Sequence, residues 1–96
     1  MRRWIAALLV FAPTIALAQL PECIHVEAEA RYGASAYNHY VRIRNDCDRP
    51  ARCQVSTDVN PERTTVEVGA RNTVEVITFR GSPARVFTPL VSCELR

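Results

Sequence analysis

Ile24-His25-Val26-Glu27-Ala28-Glu29-Ala30-Arg31 is the stretch that decides the fold. Apolar residues occupy every second position, with charged or polar residues between them. Successive side chains of a strand point to opposite faces. This period of two therefore sets Ile24, Val26, Ala28 and Ala30 on a core and His25, Glu27, Glu29 and Arg31 in water. The pattern recurs downstream. Val41 and Ile43 alternate with Arg42 and Arg44, Val66 and Val68 flank Glu67, and Val74 and Val76 flank Glu75. No stretch beyond residue 18 keeps a helically spaced apolar stripe for the ten or so residues a helix needs.

Turn-forming clusters divide these runs. Tyr32-Gly33-Ala34-Ser35, Asp46 to Ala51, Asp58 to Glu62, Gly69 to Asn72 and Gly81-Ser82-Pro83 are rich in the residues that punctuate strands. They delimit six predicted strands at 22–31, 38–46, 52–58, 63–68, 73–80 and 84–95. Pro89 falls inside the last, which marks that strand as an edge, a bulge or two shorter pieces. Turn signals at this spacing predict an all-β fold, a small antiparallel β-sandwich of about six strands.

Residues 1–18 read differently. Arg2 and Arg3 precede an apolar run from Trp4 to Leu17, and Ala16-Leu17-Ala18 supplies a small-x-small cleavage pattern. This is the form of a secretory signal peptide, with the mature domain at 19–96 beginning at Gln19. The run is shorter than the ~20 apolar residues needed to span a bilayer. The expected location is periplasmic or secreted, in a bacterium. Loss of Arg2 and Arg3 leaves ten arginines against ten acidic residues. A mature chain of near-zero net charge lacks the basic excess of a nucleic-acid or anionic-membrane binder.

All four cysteines, Cys23, Cys47, Cys53 and Cys93, lie in 19–96. An even count in a small exported domain predicts two disulfides, which supplement a core too small to be secure alone. A hairpin in which paired residue numbers sum to 100 sets Cys47 opposite Cys53 and Val41 opposite Val59, all on one face. It predicts Cys47–Cys53, leaving Cys23–Cys93 to tie the first strand to the last; the other two pairings are the alternatives. A second hairpin, with sum 142, sets Val68 opposite Val74 and Val66 opposite Val76. In the first hairpin, centring on Ser35 would bring Val26 against Arg44. A shift of one residue is expected instead, which moves Cys23 away from Cys47.

The spacing does not favour chemistry. Cys47 and Cys53 lack the Cys-x-x-Cys spacing of a redox pair. His25 and His39 stand alone on separate strands, unlike the close pairs of a zinc site. A blue-copper site wants an axial Met, and the only one is Met1. His39 shares parity with Val41 and Ile43 and reads as a hydrogen-bonded sheet-end residue. Ser35, Ser56, Ser82 and Ser92 lack a nucleophile-elbow context. Arg31, Arg42 and Arg44 face Glu27 and Glu29 and read as a self-neutralised, solvated face. Tyr32, Tyr37 and Tyr40 read as packing at one sheet end. No catalytic residue, metal or cofactor is expected. The candidate contact loop is Arg80-Gly81-Ser82-Pro83-Ala84-Arg85, with Arg80, Gly81, Ser82 and Arg85 at its tip.

Two segments carry a resemblance. Tyr40-Val41-Arg42-Ile43-Arg44-Asn45-Asp46-Cys47, followed by Cys53-Gln54-Val55, resembles small exported bacterial β-sandwich proteins of unassigned function. Val66-Glu67-Val68-Gly69 and Thr73-Val74-Glu75-Val76 resemble the middle strands of immunoglobulin-like modules, with Gly69-Ala70 where those modules more often carry Pro-Gly. The resemblance implies a sandwich and brings no functional residues. The expected function is a non-enzymatic exported binding or structural module that meets an unknown protein partner through loops or an exposed sheet edge. The alternative is an inhibitor of a secreted or periplasmic hydrolase, a protease or lysozyme, inserting a rigid disulfide-closed loop, Asp48 to Arg52 or Arg80 to Arg85.

Overall fold

A computed structural model describes residues 20–96; the expected signal peptide and Gln19 lie outside them. Six strands follow in chain order: β1 (Ile24–Gly33), β2 (Ala36–Asn45), β3 (Ala51–Thr57), β4 (Thr64–Val68), β5 (Thr73–Ser82) and β6 (Pro89–Leu95). Every pairing is antiparallel. One three-stranded sheet has the order β1-β2-β5 and the other β4-β3-β6. The described residues contain no helix. The fold is the antiparallel β-sandwich that the period of two predicts.

The core is the set of inward positions along this alternation. Ile24, Val41, Ile43, Ala51, Cys53, Val55, Val68, Phe87 and Val91 are buried, with Val26, Val66 and Val74 packed against them. On β3 the alternation is complete: Ala51, Cys53, Val55 and Thr57 are buried, while Arg52 and Gln54 face out.

In β1–β2 the shifted register holds. Val26 pairs with Ile43, Ala28 with Val41 and Ala30 with His39. Only Ala34 and Ser35 connect the strands, at φ 53° and 69°. Two left-handed residues in succession define a type I′ turn, whose twist matches that of the flanking strands.

The other two expected hairpins do not form. β2 and β3 lie in different sheets, as do β4 and β5. Asp46–Pro50 and Gly69–Asn72 carry the chain from one sheet to the other. The partners of β3 are β4, with Cys53 opposite Val66, and β6, with Cys53 opposite Cys93. The last strand is shorter than expected and begins at Pro89, whose missing N–H is tolerated at the first position of a strand.

The disulfides are accordingly Cys23–Cys47 and Cys53–Cys93, not Cys47–Cys53 and Cys23–Cys93. Cys53 and Cys93 are register partners on adjacent strands, with Cα atoms 4.0 Å apart. Cys23 and Cys47 lie just outside the free ends of β1 and β2, one position out of register. Asp46 N–H donates to Cys23 O at 2.9 Å, and the Cys23 and Cys47 Cα atoms are 5.2 Å apart. A stagger of one residue is within reach of a disulfide, so the shifted register does not separate these cysteines. Each bridge closes a single sheet, and the two sheets are joined to each other by core packing and by hydrogen bonds such as Asn45 Nδ2 to Val68 O.

Candidate functional site

The Asp46–Pro50 crossing is shaped by Asn45, the last residue of β2, which is fully buried. Its Oδ1 accepts from Cys47 N–H at 2.8 Å, which turns the chain out of the sheet. Its Nδ2 donates toward Arg49 O at 2.9 Å and toward Val68 O and Gly69 O at 3.1 Å. Asn45 N–H donates to Asn72 O. One side chain thus fastens both sheet-to-sheet crossings at one end of the sandwich. It was not singled out from the sequence; Asn preceding Asp-Cys at a strand end is the only signal.

His39 is buried in the opposite half of the β1-β2-β5 sheet. Its Nε2 donates to Ala84 O at 2.7 Å, and its ring stacks on Phe87 with centroids 4.0 Å apart. Its Nδ1 is buried without a partner. This is a hydrogen-bonded residue at a sheet end, holding the Ser82–Thr88 segment over the sheet. No acid or nucleophile meets it among these contacts.

The outward face of the same sheet carries an ion-pair network. Arg42 donates to Glu27 at 2.8 Å and to Glu75 at 2.8 Å. Arg31 donates to Glu75 at 2.6 Å and to Glu29 at 3.0 Å, and its guanidinium lies 3.8 Å from the Tyr40 ring centroid. The hydrogen bond from Arg31 holds the Glu29 and Glu75 carboxyls below the usual carboxylate range. Glu29 and Glu75 in turn raise the Arg31 guanidinium above its ordinary value. Arg44 pairs with Asp46, which also approaches His25. The arginine stripe is therefore saturated by carboxylates of its own sheet, as expected, with Glu75 of β5 joining the residues foreseen. The tyrosines divide: Tyr32 and Tyr37 meet edge to face at 5.0 Å, whereas Tyr40 lies beneath Arg31.

The candidate contact loop is distributed between β5 and the segment after it. Arg80, Gly81 and Arg85 are exposed, and Gly81 has φ 71°. Ser82 is buried, and its Oγ accepts from Ala84 N–H at 2.9 Å, so its hydroxyl shapes the loop instead of meeting a partner. Asp48–Arg52 is not a disulfide-closed loop, because Cys47 and Cys53 are bonded elsewhere.

On the outward face of the second sheet, Arg52, Gln54, Ser92, Cys93 and Glu94 line an open depression of about 350 Å³. Arg52 pairs there with Glu67 at 2.7 Å. Among the described residues, no three of His, Cys, Asp and Glu gather within reach of one metal ion. Cys23, Cys47, Cys53 and Cys93 are all consumed as disulfides. What the surface does offer is backbone: two open three-stranded sheets present four strand edges, on β1, β5, β4 and β6.

The class defined by fold and surface is a two-disulfide, six-stranded antiparallel β-sandwich with unpaired edges. No protein-family model, curated protein or solved structure matches the chain.

Proposed function

We propose that the protein is a non-enzymatic binding module, exported to the bacterial periplasm or exterior, that holds a protein partner through a sheet edge or the exposed part of the Arg80–Arg85 loop. The observation that carries this reading is the pair of open three-stranded sheets. An unpaired edge offers a row of backbone donors and acceptors to an added strand. Disulfides within each sheet keep that edge preorganised. Arg80 and Arg85 stand exposed beside one end of the edge on β5.

The test immobilises the oxidised chain and challenges it with an exported-protein extract. One protein should be recovered reproducibly, and its recovery should fall when Arg80 and Arg85 are replaced by Ala or when an edge strand is blocked by Pro. Empty recoveries across several extracts, or recovery indifferent to every edge and loop variant, would overturn the reading. Intact mass of the exported material checks the compartment. Cleavage after Ala18 and loss of four hydrogens are expected, and a retained Met1 would argue against export.

A further inference from the structure

The four edges are not equivalent. β4 has only five residues. β6 starts with Pro89. β5 shifts register against β2 near His39 and ends through Gly81 at positive φ. β1 runs for ten residues in unbroken register with β2 and carries neither proline nor bulge. A long, regular edge of this kind is a template for another strand.

The orientation of its amides follows from the ladder. Asp46 N–H donates to Cys23 O at one end, and Gly33 faces Ala36 across the two-residue turn at the other. Bonded pairs alternate along an antiparallel ladder. Odd-numbered residues of β1 therefore turn their amides toward β2, and Val26, Ala28, Ala30 and Tyr32 turn theirs to the open side. Ile24 N–H is already taken by Pro21 O.

We propose that β1 pairs antiparallel with β1 of a second copy of this chain, about a two-fold axis at Ala30, joining two three-stranded sheets into one of six. The inference rests on the reading of a sheet edge as the contact surface and names its occupant. Charge selects the register. Centred on Ala30, Glu29 lies opposite the second copy's Arg31, and Arg31 opposite its Glu29. Centred on Ala28, Glu27 would face Glu29; centred on Glu29, that residue would face itself. Like charges directly opposed on a sheet are destabilising.

The inward face agrees with this register. On that face Ala28 is exposed and Tyr32 is 67% exposed, although both share parity with buried Ile24. The Ala30-centred pairing lays each Tyr32 ring opposite the second copy's Ala28, so a large side chain covers a small one at both places.

The test is sedimentation of the oxidised chain, produced from the full coding sequence, over a wide concentration range. A monomer–dimer equilibrium is expected. Ala30→Pro removes an outward N–H at an edge position where proline is tolerated. It should raise the dissociation constant by roughly tenfold or more. Glu29→Arg should weaken the dimer as well, and adding Arg31→Glu should restore it by exchanging the signs. These charge variants carry the test if Ala30→Pro does not fold. An isotope-filtered contact between the Tyr32 ring and the second copy's Ala28 methyl would fix the register. A chain monomeric up to about millimolar concentration, or a dimer indifferent to these variants, would overturn the proposal. If that monomeric chain still captures a partner through an edge or loop, the binding-module reading survives and only the self-pairing fails.

Discussion

The Asn45 carboxamide donates toward three carbonyls and accepts from Cys47 N–H, in full burial. Asn45→Ala would leave these backbone groups unpaired away from water. The expected loss is about 2–4 kcal/mol, read by urea denaturation with the disulfides intact. Asn45→Asp should be worse near neutral pH, because it aims a carboxylate at carbonyl oxygens where the amide donates. The importance of Asn45 was hidden in the sequence, since three of its acceptors belong to Arg49, Val68 and Gly69, the last two more than twenty residues away. His39 was more legible. Its parity with Val41 and Ile43 placed it inward, and a buried imidazole needs a partner, which Ala84 O supplies. That Phe87 would be the stacking surface depended on how the segment after β5 folds back.

At the scale of elements, the β1–β2 hairpin joins favourable pairing to unfavourable turn chemistry. Ala34 and Ser35 both occupy the left-handed region, which costs a non-glycine residue about 1 kcal/mol or more. Replacing them with Asn and Gly, the preferred type I′ pair, is expected to raise stability by about 1–2 kcal/mol in the same denaturation assay. The ionic face of this sheet should respond to acid. Glu29 and Glu75 have carboxyls lowered by the hydrogen bond from Arg31. A carboxyl depressed in the folded state stabilises fully above its unfolded value, near pH 4, and that contribution fades as pH falls through the folded value. Wild type should therefore exceed Glu75→Gln in melting temperature at pH 6, and the gap should close toward pH 2. A gap that widened in acid would contradict this assignment. Strand existence was legible because β3 and β6 alternate throughout and β5 alternates up to its register shift. The start of the last strand was not, because Val86 and Phe87 fit the same pattern without belonging to a ladder.

For the whole molecule, the two missed crossings share one cause. Parity says which face a residue occupies, and residues facing each other across a sandwich satisfy it as well as neighbours in one sheet. Val66 and Val68 fit Val74 and Val76 either way, and so do Cys47 and Cys53 with the strands that carry them. Sheet membership is decided by the crossings, where Asn45 acts. The observed pairing also changes what each disulfide is worth. The bridges span separations of 24 and 40 residues, not six and seventy. Chain entropy then assigns each about 3–4 kcal/mol, within ~0.5 kcal/mol of each other. The Cys23→Ser/Cys47→Ser and Cys53→Ser/Cys93→Ser variants should thus lose comparable stability by thermal unfolding; a difference of several kcal/mol would point to packing around Cys53. The same connectivity decides how the molecule bears tension. A pull on its two ends passes from 20–23 through the first bridge to 47–53, and through the second to 93–96. The strands between lie in closed side loops that feel no tension. Stretched beyond unfolding, the oxidised chain should reach only about 50 Å, against roughly 260 Å once reduced. Such a chain would be a short, nearly inextensible tether in an oxidising compartment and a long, slack one after reduction.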